Sequence, residues 1–255
     1  MPDTTEHSRI NEILQLLKEH TTASIGEIAE KFAVSEMTIR RDIQKLAETG
    51  QVIRIPGGVR IERWRGMERT FVERLQKMSP TKSNIGEAAA ALVRDGESVV
   101  LDSGTTTLYV ARQLRARQNI TVFTFSLAAL EELASADSVR VELTGGVYRA
   151  SSHDLVGHAV GEYLSSICAD HVIFGAAAVS LTRGVMVHDP DAQRELLHSG
   201  KQRVLVVDSS KIGIEATYRL CGIEECDLIL TDNGIKPDDL TRLRQKTTVQ
   251  IVNAP

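Results

Sequence analysis

The sequence has few cysteines. Only three occur among 255 residues, at Cys168, Cys221 and Cys226, and no two of them form a C-x-x-C pair. An odd number of scattered cysteines is typical of reduced thiols, and it argues against a disulfide framework or a zinc site. We therefore expect an intracellular redox environment and no bound metal.

Long apolar runs are also missing. The apolar runs, such as residues 204–207, are far shorter than the roughly 20 residues that a helix needs to span a membrane. The first ten residues, MPDTTEHSRI, contain no apolar segment of the kind found in signal peptides. We therefore expect a cytoplasmic protein with no membrane partner.

The overall amino-acid composition is typical of a globular protein. Apolar residues make up 42% and charged residues 25% of the sequence, and its length favours two domains of unequal size. The sequence pattern changes near residues 66–80, so we predict a first domain at 1–65, a connector at 66–80 and a second domain at 81–255. Within the connector, Phe71, Val72 and Leu75 have the spacing of a short amphipathic helix that ends before Pro80.

Residues 35–46, SEMTIRRDIQKL, are predicted to form a helix with two unlike faces. Ser35 can cap the helix, and at 3.6 residues per turn Ile39, Ile43 and Leu46 share one apolar face. Arg41 lies nearly opposite that face. This outward side favours DNA binding, although a solvated surface helix is the alternative for this segment alone. The candidate DNA contacts on it are Met37, Thr38, Arg40, Arg41, Gln44 and Lys45.

The neighbouring segments favour the DNA-binding interpretation. Residues 24–32 have a capping box, Ser24 with Glu27, and apolar residues at helical spacing. Only Ala33 and Val34 separate this helix from the helix that begins at residue 35, and a third amphipathic helix precedes both. The pattern therefore predicts a helix-turn-helix. Residues 51–62 predict a strand, a turn and a second strand, which form the wing of a winged helix. Arginines on or beside the wing are Arg54, Arg60, Arg63 and Arg65.

Basic charge is concentrated in the predicted DNA-binding elements. Residues 35–65 contain seven basic and four acidic residues, whereas residues 5–30 contain two basic and five acidic ones, and the whole chain has a net charge of −4. Neutralising phosphates supplies most of the non-specific affinity for DNA. Because this basic patch is modest for a monomer, we expect a homo-oligomer, a dimer or tetramer, that presents two recognition helices to double-stranded DNA.

The second domain is predicted to be α/β. Helical segments alternate with apolar strands, which implies a mostly parallel sheet covered by helices on both faces. In such a sheet, ligands bind beyond the carboxyl ends of the strands, so the loops that follow strands are the candidate sites. The predicted strands are 98–101, 121–125, 139–143, 172–174, 204–207, 228–230 and 249–252.

The first candidate loop closes one strand and opens a helix. Its glycine allows close backbone approach, and free N–H groups and hydroxyls at a helix start favour a phosphate. An ordinary threonine helix cap is the alternative, and no Walker lysine follows. The residues are Asp102, Ser103, Gly104, Thr105, Thr106 and Thr107.

Three further loops carry candidate ligands. Gly145, Gly146 and Arg149 can bind a carboxylate or phosphate, or can form a plain turn. Asp208 can bind sugar hydroxyls and Lys211 a phosphate. A fourth loop contains His188, Asp189, Pro190 and Asp191, which suit either a base or metal site or an ordinary helix start.

These motifs occur in the order found in the DeoR family of bacterial transcriptional regulators. SEMTIRRDIQKLAETGQVIRIPGG resembles that family's helix-turn-helix signature, and the resemblance continues through KSNIGEAAA, LDSGTTT, LTGGVYR, LVGHAV and VVDSSKIG. It implies a winged helix that binds operators, usually as a repressor of sugar-catabolism genes. It also implies a larger domain that resembles ribose-5-phosphate isomerase and senses a phosphorylated sugar.

The resemblance further implies that residues 103–107 form a phosphate loop and that Gly145, Gly146, Asp208 and Lys211 belong to the effector site. The sequence departs from the family pattern at three places. Pro56 stands where the family usually has histidine, and Phe125 stands where asparagine is common. At the third place, Gln193 stands where many members have lysine, and Asp189 stands in place of glutamate. The identity of the sugar is therefore not implied by the resemblance.

An isomerase-like enzyme with a DNA-binding head is the main alternative, and a protein–protein adaptor is a third. Aldose–ketose isomerisation needs a carboxylate base, yet the loop at residues 175–180, GAAAVS, has neither acid nor base. Asp102, Asp189 and Asp208 are the remaining carboxylates that could form a catalytic group. We therefore predict a regulator and not an enzyme, with no catalytic residue and no cofactor.

The predicted orientation of the recognition helix can be tested by two alanine substitutions. Arg41 is expected to contact a base edge or a phosphate that flanks it. Arg41→Ala is expected to weaken operator binding by about 1–3 kcal/mol if the lost guanidinium contacts a base. Ile43→Ala is expected instead to lower the free energy of unfolding by about 2–5 kcal/mol, because it empties a buried position. Operator affinity at fixed salt and thermal unfolding are the measurements. An unchanged operator affinity in the Arg41 variant would show that Arg41 does not face DNA.

Overall fold

The computed structural model describes residues 4–20, 22–48, 52–61, 71, 75, 80–189 and 193–253. The chain divides into two compact units, Met1–Met67 and Glu68–Pro255. Within the described ranges, no helix is both long and apolar enough to cross a membrane. Cys168, Cys221 and Cys226 are all free thiols, the last two of them buried.

The smaller unit is a winged helix-turn-helix. Its elements are α1 (Thr4–His20), β1 (Thr22–Ser24), α2 (Ile25–Lys31), α3 (Glu36–Glu48), β2 (Val52–Ile55) and β3 (Gly58–Ile61). The three strands form an antiparallel sheet in the order β1-β3-β2, and β2 and β3 are the wing. The strand β1 was not predicted, because three residues give too short a pattern to recognise.

Serine caps fix the starts of the two helices in the helix-turn-helix. The Ser24 hydroxyl accepts a hydrogen bond from the Glu27 N–H at 3.1 Å, and the Glu27 carboxylate accepts one from the Ser24 N–H at 2.8 Å, which completes the predicted capping box. Ser35 precedes α3, and its hydroxyl accepts a hydrogen bond from the Thr38 N–H at 3.2 Å. These caps satisfy amides that have no partner within the helix.

The core of the smaller unit is formed by the predicted apolar faces. Burying each large apolar side chain contributes about 1.5–3 kcal/mol, and together these faces hold the three helices against the sheet. The core residues are Ile13, Leu17, Ile25, Ile28, Ala29, Ile39, Ile43, Leu46, Val52 and Val59.

A buried ion pair joins α1 to α3. The side chain of Asp42 is only 1% exposed, and its carboxylate accepts hydrogen bonds from the Arg9 guanidinium at 2.7 and 3.4 Å. A carboxylate in an apolar core is costly unless it is paired, so this contact fixes α1 relative to the recognition helix.

The larger unit contains a seven-stranded sheet in which every neighbouring pair of strands is parallel. Its strands are β4 (Ser98–Leu101), β5 (Ile120–Thr124), β6 (Val139–Leu143), β9 (Ala169–Phe174), β12 (Gly200–Val206), β14 (Leu228–Asp232) and β15 (Thr248–Val252). The helices are α4 (Pro80–Ala90), α5 (Thr105–Leu114), α6 (Leu127–Leu133), α7 (His158–Ser165), α8 (Gln193–His198) and α9 (Pro237–Arg244).

The predicted α/β class is confirmed, with two antiparallel additions that the sequence did not predict. One is a three-stranded sheet of β10 (Ala178–Ser180), β11 (Gly184–Val187) and β13 (Tyr218–Cys221), and the other is a hairpin of β7 (Val147–Arg149) and β8 (Asp154–Val156). Thr105, Thr106 and Thr107, which were predicted to belong to the loop, instead form the first turn of α5, because Gly104 is its N-cap.

Alternate residues of each central strand face opposite layers of helices. Val100, Val172 and Leu205 belong to one apolar cluster, which includes α7, α8 and α9. Val99, Ile173 and Val204 belong to the other, which includes α4, α5 and α6. Burial on both faces explains why these strands are continuous apolar runs in the sequence.

The strand order reverses between β4 and β9. From β4 the chain moves outward through β5 and β6, and it then returns to the other side of β4 and continues through β9, β12, β14 and β15. Crossover connections therefore leave in opposite directions from β4 and β9. This reversal opens a crevice at the carboxyl ends of the two strands, where α/β sheets bind ligands.

The buried ion pair of the smaller unit predicts a difference between two carboxylates of α3. Asp42→Ala is expected to lower the free energy of unfolding of this unit by roughly 2–4 kcal/mol, because the variant loses the buried, hydrogen-bonded ion pair between α1 and α3. Glu36→Ala is the matched control, since Glu36 pairs with Arg40 at 3.2 Å on the surface, and it is expected to cost under about 0.5 kcal/mol. Chemical denaturation of the two variants makes the comparison, and equal losses would show that burial of Asp42 contributes nothing.

Candidate DNA-binding surface and effector cavity

The outward face of α3 carries the candidate DNA-contacting residues. Met37 is 70% exposed, and Arg40, Arg41, Gln44 and Lys45 are also exposed, whereas Thr38 is half-buried. The opposite face carries the buried Ile39, Ile43 and Leu46. This face is available to a major groove, and the contacts themselves stay a prediction.

Several of the polar groups on this surface are held by neighbours. The Arg40 guanidinium pairs with Glu36 at 3.2 Å, and the Thr38 and Ser35 hydroxyls lie 2.9 Å apart. The Arg54 guanidinium donates a hydrogen bond of 2.8 Å to the Gln44 side-chain oxygen. Because Arg54 lies in β2, this bond ties the wing to the recognition helix.

The other predicted wing residues are Arg60, Arg63 and Arg65. The side chain of Arg60 lies outside the described residues, although its backbone pairs with Thr22 and Ile53 in the sheet. Arg63 and Arg65 also lie outside the described ranges, as does most of the predicted connector.

The larger unit has a cavity at the crevice between β4 and β9. It brings together the loop after β4, the start of α5, the loop after β9 and the end of β11. The lining residues are Asp102, Ser103, Gly104, Thr105, Thr106, Thr107, Arg149, Ser152, Gly175, Ala176, Ala177, Val187, His188, Asp189 and Lys211. Eight of the eleven predicted effector residues are therefore neighbours in space.

Asp102 joins the two strands at the reversal. One carboxylate oxygen accepts a hydrogen bond from the Ser103 N–H at 2.8 Å, and the other accepts one from the Gly175 N–H at 3.0 Å. The residue is 1% exposed. Asp102 therefore shapes the cavity floor by holding two loops together, and this arrangement favours a structural role over direct effector binding.

The start of α5 has the features of an anion site. Gly104, the N-cap, has a φ of +153°, which L side chains rarely adopt, and Thr105, Thr106 and Thr107 follow it in the first turn. The first amides of a helix have no acceptor within the helix, and they carry the positive end of the helix dipole. The Lys82 ammonium of α4 donates a hydrogen bond of 3.2 Å to the Thr105 hydroxyl. Lys82 thus adds positive charge beside this turn.

Arg149 is engaged by carboxylates. Its guanidinium contacts both oxygens of the fully buried Asp154, at 3.1 and 2.9 Å, and also contacts Asp189. Asp154 additionally accepts hydrogen bonds from the Ser103 hydroxyl at 2.7 Å and the Ser152 hydroxyl at 2.6 Å. The predicted role of Arg149 as the main ligand of an anionic group is therefore less favoured than a role in orienting Asp189 and the hairpin.

Lys211 reaches the cavity from the turn after β12. Its ammonium donates a hydrogen bond of 2.8 Å to the Ala176 carbonyl. Asp232 at the end of β14 holds this turn, because its carboxylate accepts hydrogen bonds from the Ser209 N–H and hydroxyl at 2.6 and 2.7 Å. Burial raises the pKa of Asp232, but the hydrogen bonds from Ser209 and Gly234 outweigh burial and hold that pKa below its ordinary value. The carboxylate is thus ionised at neutral pH, and its stabilising contribution is lost only as the pH falls through this lowered pKa.

Three predicted effector residues do not line the cavity. Asp208 is half-buried and contacts the Ser210 hydroxyl. Gly145 and Gly146 are exposed in the loop between β6 and β7. A Cβ atom on Gly146 would lie 2.8 Å from the Val156 carbonyl oxygen, so this glycine permits close packing of the hairpin. A direct role for these three residues in effector binding stays a prediction.

His188 and Asp189 of the fourth candidate loop do line the cavity, whereas Pro190 and Asp191 lie outside the described residues. In the described part of the chain, no group of three potential metal ligands comes together. Four further residues at the cavity or its loops were not predicted, because only the tertiary fold brings them there: Lys82, Ser152, Asp154 and Asp232. Their type and spacing gave no local signal.

The hairpin that holds Arg149 also contacts the start of the larger unit. The Phe71 N–H donates a hydrogen bond of 2.8 Å to the Ser151 carbonyl. The Phe71 ring stacks on His153, with 6.0 Å between the ring centroids, and its neighbours Leu108 and Ala128 are buried with it. Phe71 belongs to the predicted connector, so one short hairpin contacts both the cavity and the connector.

A winged helix-turn-helix unit joined to an α/β unit with a cavity at the carboxyl ends of its strands is the arrangement of a DNA-binding transcriptional regulator with a sensor domain. Residues 9–63 match the DeoR-like helix-turn-helix domain, and residues 77–233 match the DeoR C terminal sensor domain. The chain belongs to the DeoR family of transcriptional regulators. This membership confirms the predicted family and the prediction of a regulator and not an enzyme.

Two relatives illustrate the similarity. The uncharacterized HTH-type transcriptional regulator YgbI of Escherichia coli (strain K12) is 32% identical over 245 residues, which cover 95% of each chain. The lactose phosphotransferase system repressor of Lactococcus lactis subsp. lactis is 29% identical over 246 residues, which cover 94% of this chain and 96% of the relative.

Among solved structures, ribose 5-phosphate isomerase A from Methanocaldococcus jannaschii matches 51% of this chain and 53% of its own, with 19% identity and a TM-score of 0.38. A similarity this distant carries no argument about ligand or activity.

The role of Asp102 can be tested by its effect on stability. Asp102→Ala is expected to lower the free energy of unfolding by roughly 2–4 kcal/mol, because the Ser103 and Gly175 amides lose a buried acceptor. Asp95→Ala is the control, since exposed Asp95 accepts one hydrogen bond, at 2.8 Å from the Gln118 N–H, and its loss is expected to cost about 1 kcal/mol. Denaturant unfolding followed by a signal from the larger unit measures both. Similar losses in the two variants would contradict a special role for Asp102.

Proposed function

We propose that this regulator is a repressor of sugar-metabolism genes. It binds operator DNA through α3 and the wing, and a phosphorylated sugar bound at the β4–β9 crevice changes its affinity for that DNA. The observation that carries the effector proposal is the start of α5, where Thr105, Thr106 and Thr107 line a cavity that Lys211 also lines. A helix N-terminus with adjacent cations favours a phosphate, and strand-end carboxylates and hydroxyls favour a sugar chain.

The charges within the cavity support separate positions for the phosphate and for the sugar hydroxyls of the ligand. The phosphate belongs at the start of α5, because Lys82 bonds to Thr105 there and Lys211 approaches from the opposite loop. The Asp189 carboxylate, 43% exposed and oriented by Arg149, is an acceptor suited to a sugar hydroxyl. A phosphate placed beside Asp189 would be repelled by a like charge. The end of the cavity at α5 therefore favours the phosphate, and the end at Asp189 favours sugar hydroxyls.

The β7–β8 hairpin supports a route for coupling. Ser103 Oγ, Arg149 and Ser152 all contact Asp154, and the same hairpin holds Phe71 through Ser151 and His153. A ligand that draws Ser103 or Arg149 away from Asp154 changes the contacts that hold Phe71. An effector shifts DNA binding only if it prefers one of two arrangements, and contacts of this kind supply such a preference.

We also propose that the protein acts as a homo-oligomer, a dimer or tetramer. Support comes from the modest basic surface of a single winged helix, since α3 and β2 provide only Arg40, Arg41, Lys45 and Arg54 as exposed described cations. Two copies would bind two half-sites about one turn of DNA apart. Light scattering of the full-length chain tests this proposal, and a monomer at the concentrations that saturate operator would contradict it.

The effector site can be tested with a double variant, Thr105→Ala with Lys211→Ala. The probe is whichever hexose or pentose phosphate most raises the melting temperature of the wild-type protein in a screen. In the wild type this probe is expected to change operator affinity by roughly 5- to 150-fold, which corresponds to about 1–3 kcal/mol. The double variant is expected to lose that response and to keep its probe-free operator affinity.

Lys201→Ala is the control, because Lys201 pairs with Asp170 at 2.8 Å near the amino-terminal edge of the sheet, away from the cavity. It is expected to keep the wild-type response. A double variant that responds at the same probe concentration as the wild type would exclude the α5 loop as the sensor. Failure of every sugar phosphate to bind the wild type would exclude the proposed class of effector.

A further inference from the structure

The first turn of α3 presents an apolar side chain to solvent. Met37 is 70% exposed, more than any other large hydrophobic residue in the described part of the chain. It lies on the side of the helix opposite the buried Ile39, because two residues correspond to a rotation of about 200°. Its side chain therefore contributes nothing to the core of the smaller unit.

Several polar side chains on the exposed side of α3 have partners within the protein. Arg40 pairs with Glu36, the Thr38 hydroxyl lies 2.9 Å from that of Ser35, and Gln44 accepts a hydrogen bond from Arg54. On the same side of the helix, Met37 presents an exposed thioether side chain. Arg41, four residues on, is exposed on the same face.

The chemistry of DNA offers Met37 a specific match. The amino-terminal residues of a recognition helix contact base edges in the major groove. The floor of that groove consists of hydrogen-bond donors and acceptors, apart from the 5-methyl group of thymine, which is the apolar group that distinguishes one base pair there. A flexible, polarisable methionine side chain adapts well to such a small apolar target.

We propose that Met37 is a specificity-determining residue that recognises the 5-methyl group of a thymine in each half-site of the operator. The inference rests on the proposed DNA-binding function. It adds that one position in each half-site of the operator must carry a thymine methyl group. Arg41, one helical turn away, then lies beside a neighbouring base pair, where its guanidinium suits a guanine.

The test uses DNA in which single thymines are replaced by deoxyuridine, because this change removes only the 5-methyl group. The starting duplex is the sequence that the full-length wild-type protein selects from a random library. Each half-site is expected to contain one thymine whose single replacement weakens wild-type binding about fourfold. This factor equals the ~0.8 kcal/mol for one buried methyl or methylene group. Affinities are compared at one fixed salt concentration, since phosphate contacts are sensitive to salt.

The Met37→Ala variant supplies the decisive comparison. It is expected to bind the thymine and deoxyuridine duplexes equally at that position, while it keeps the wild-type response to deoxyuridine elsewhere. Met37→Leu, which retains an apolar side chain of similar size, is expected to restore most of the discrimination. Both variants keep a good helix former at an exposed position, so the fold is preserved.

The outcomes separate this inference from the proposed function. If the wild type selects a duplex but no thymine shows a methyl effect that depends on Met37, the inference is wrong and the DNA-binding function stands. If Met37→Ala lowers affinity equally for every duplex, Met37 contacts the sugar–phosphate backbone and not a base. If the wild type selects no duplex at all, the proposed function fails and the inference fails with it.

Discussion

The reversal of strand order between β4 and β9 is the constraint on which the larger unit depends. Two parallel strands whose connections leave in opposite directions open a crevice, and Asp102 holds its floor by accepting hydrogen bonds from Ser103 and Gly175. The helix that starts beyond β4 then directs its first turn at the crevice. The site is thus a consequence of topology first, and its residues supply the charge and hydroxyls that select a ligand.

Buried carboxylates organise the loops around this crevice. Asp102 joins β4 to β9, Asp154 holds Ser103 to Arg149 on the hairpin, and Asp232 holds the turn that carries Lys211. Each of them accepts several hydrogen bonds, which offsets the cost of burying its charge. A polar network of this kind has few alternative arrangements, so a ligand that replaces one of its contacts shifts the rest. Phe71, a residue of the predicted connector, contacts Ser151 and His153 of the same hairpin.

The sequence predicted the fold well where the pattern is local. Apolar spacing and serine caps defined α2 and α3, and continuous apolar runs defined the parallel strands. The helical conformation of Thr105, Thr106 and Thr107 was missed because the cap of α5 is a glycine with no side-chain signal. The β7–β8 hairpin was missed because its strands are three residues long. Within the site, the loop after β4, Arg149 and Lys211 line one cavity, whereas Gly145, Gly146 and Asp208 do not, and a role in effector binding stays a prediction for all of them. The contributions of Lys82 and Asp154 depend on contacts across 23 and 51 residues of sequence, which no local pattern encodes.

The central claim is that ligand binding in the crevice and DNA binding by the smaller unit are thermodynamically coupled. The most direct test is thermodynamic reciprocity, measured on the full-length protein with one operator duplex and one bound sugar phosphate at constant salt. The account predicts that the sugar phosphate changes operator affinity and that saturating operator changes sugar-phosphate affinity by the same factor, roughly 5- to 150-fold. A sugar phosphate that fills the crevice and binds free and operator-bound protein equally well would contradict it.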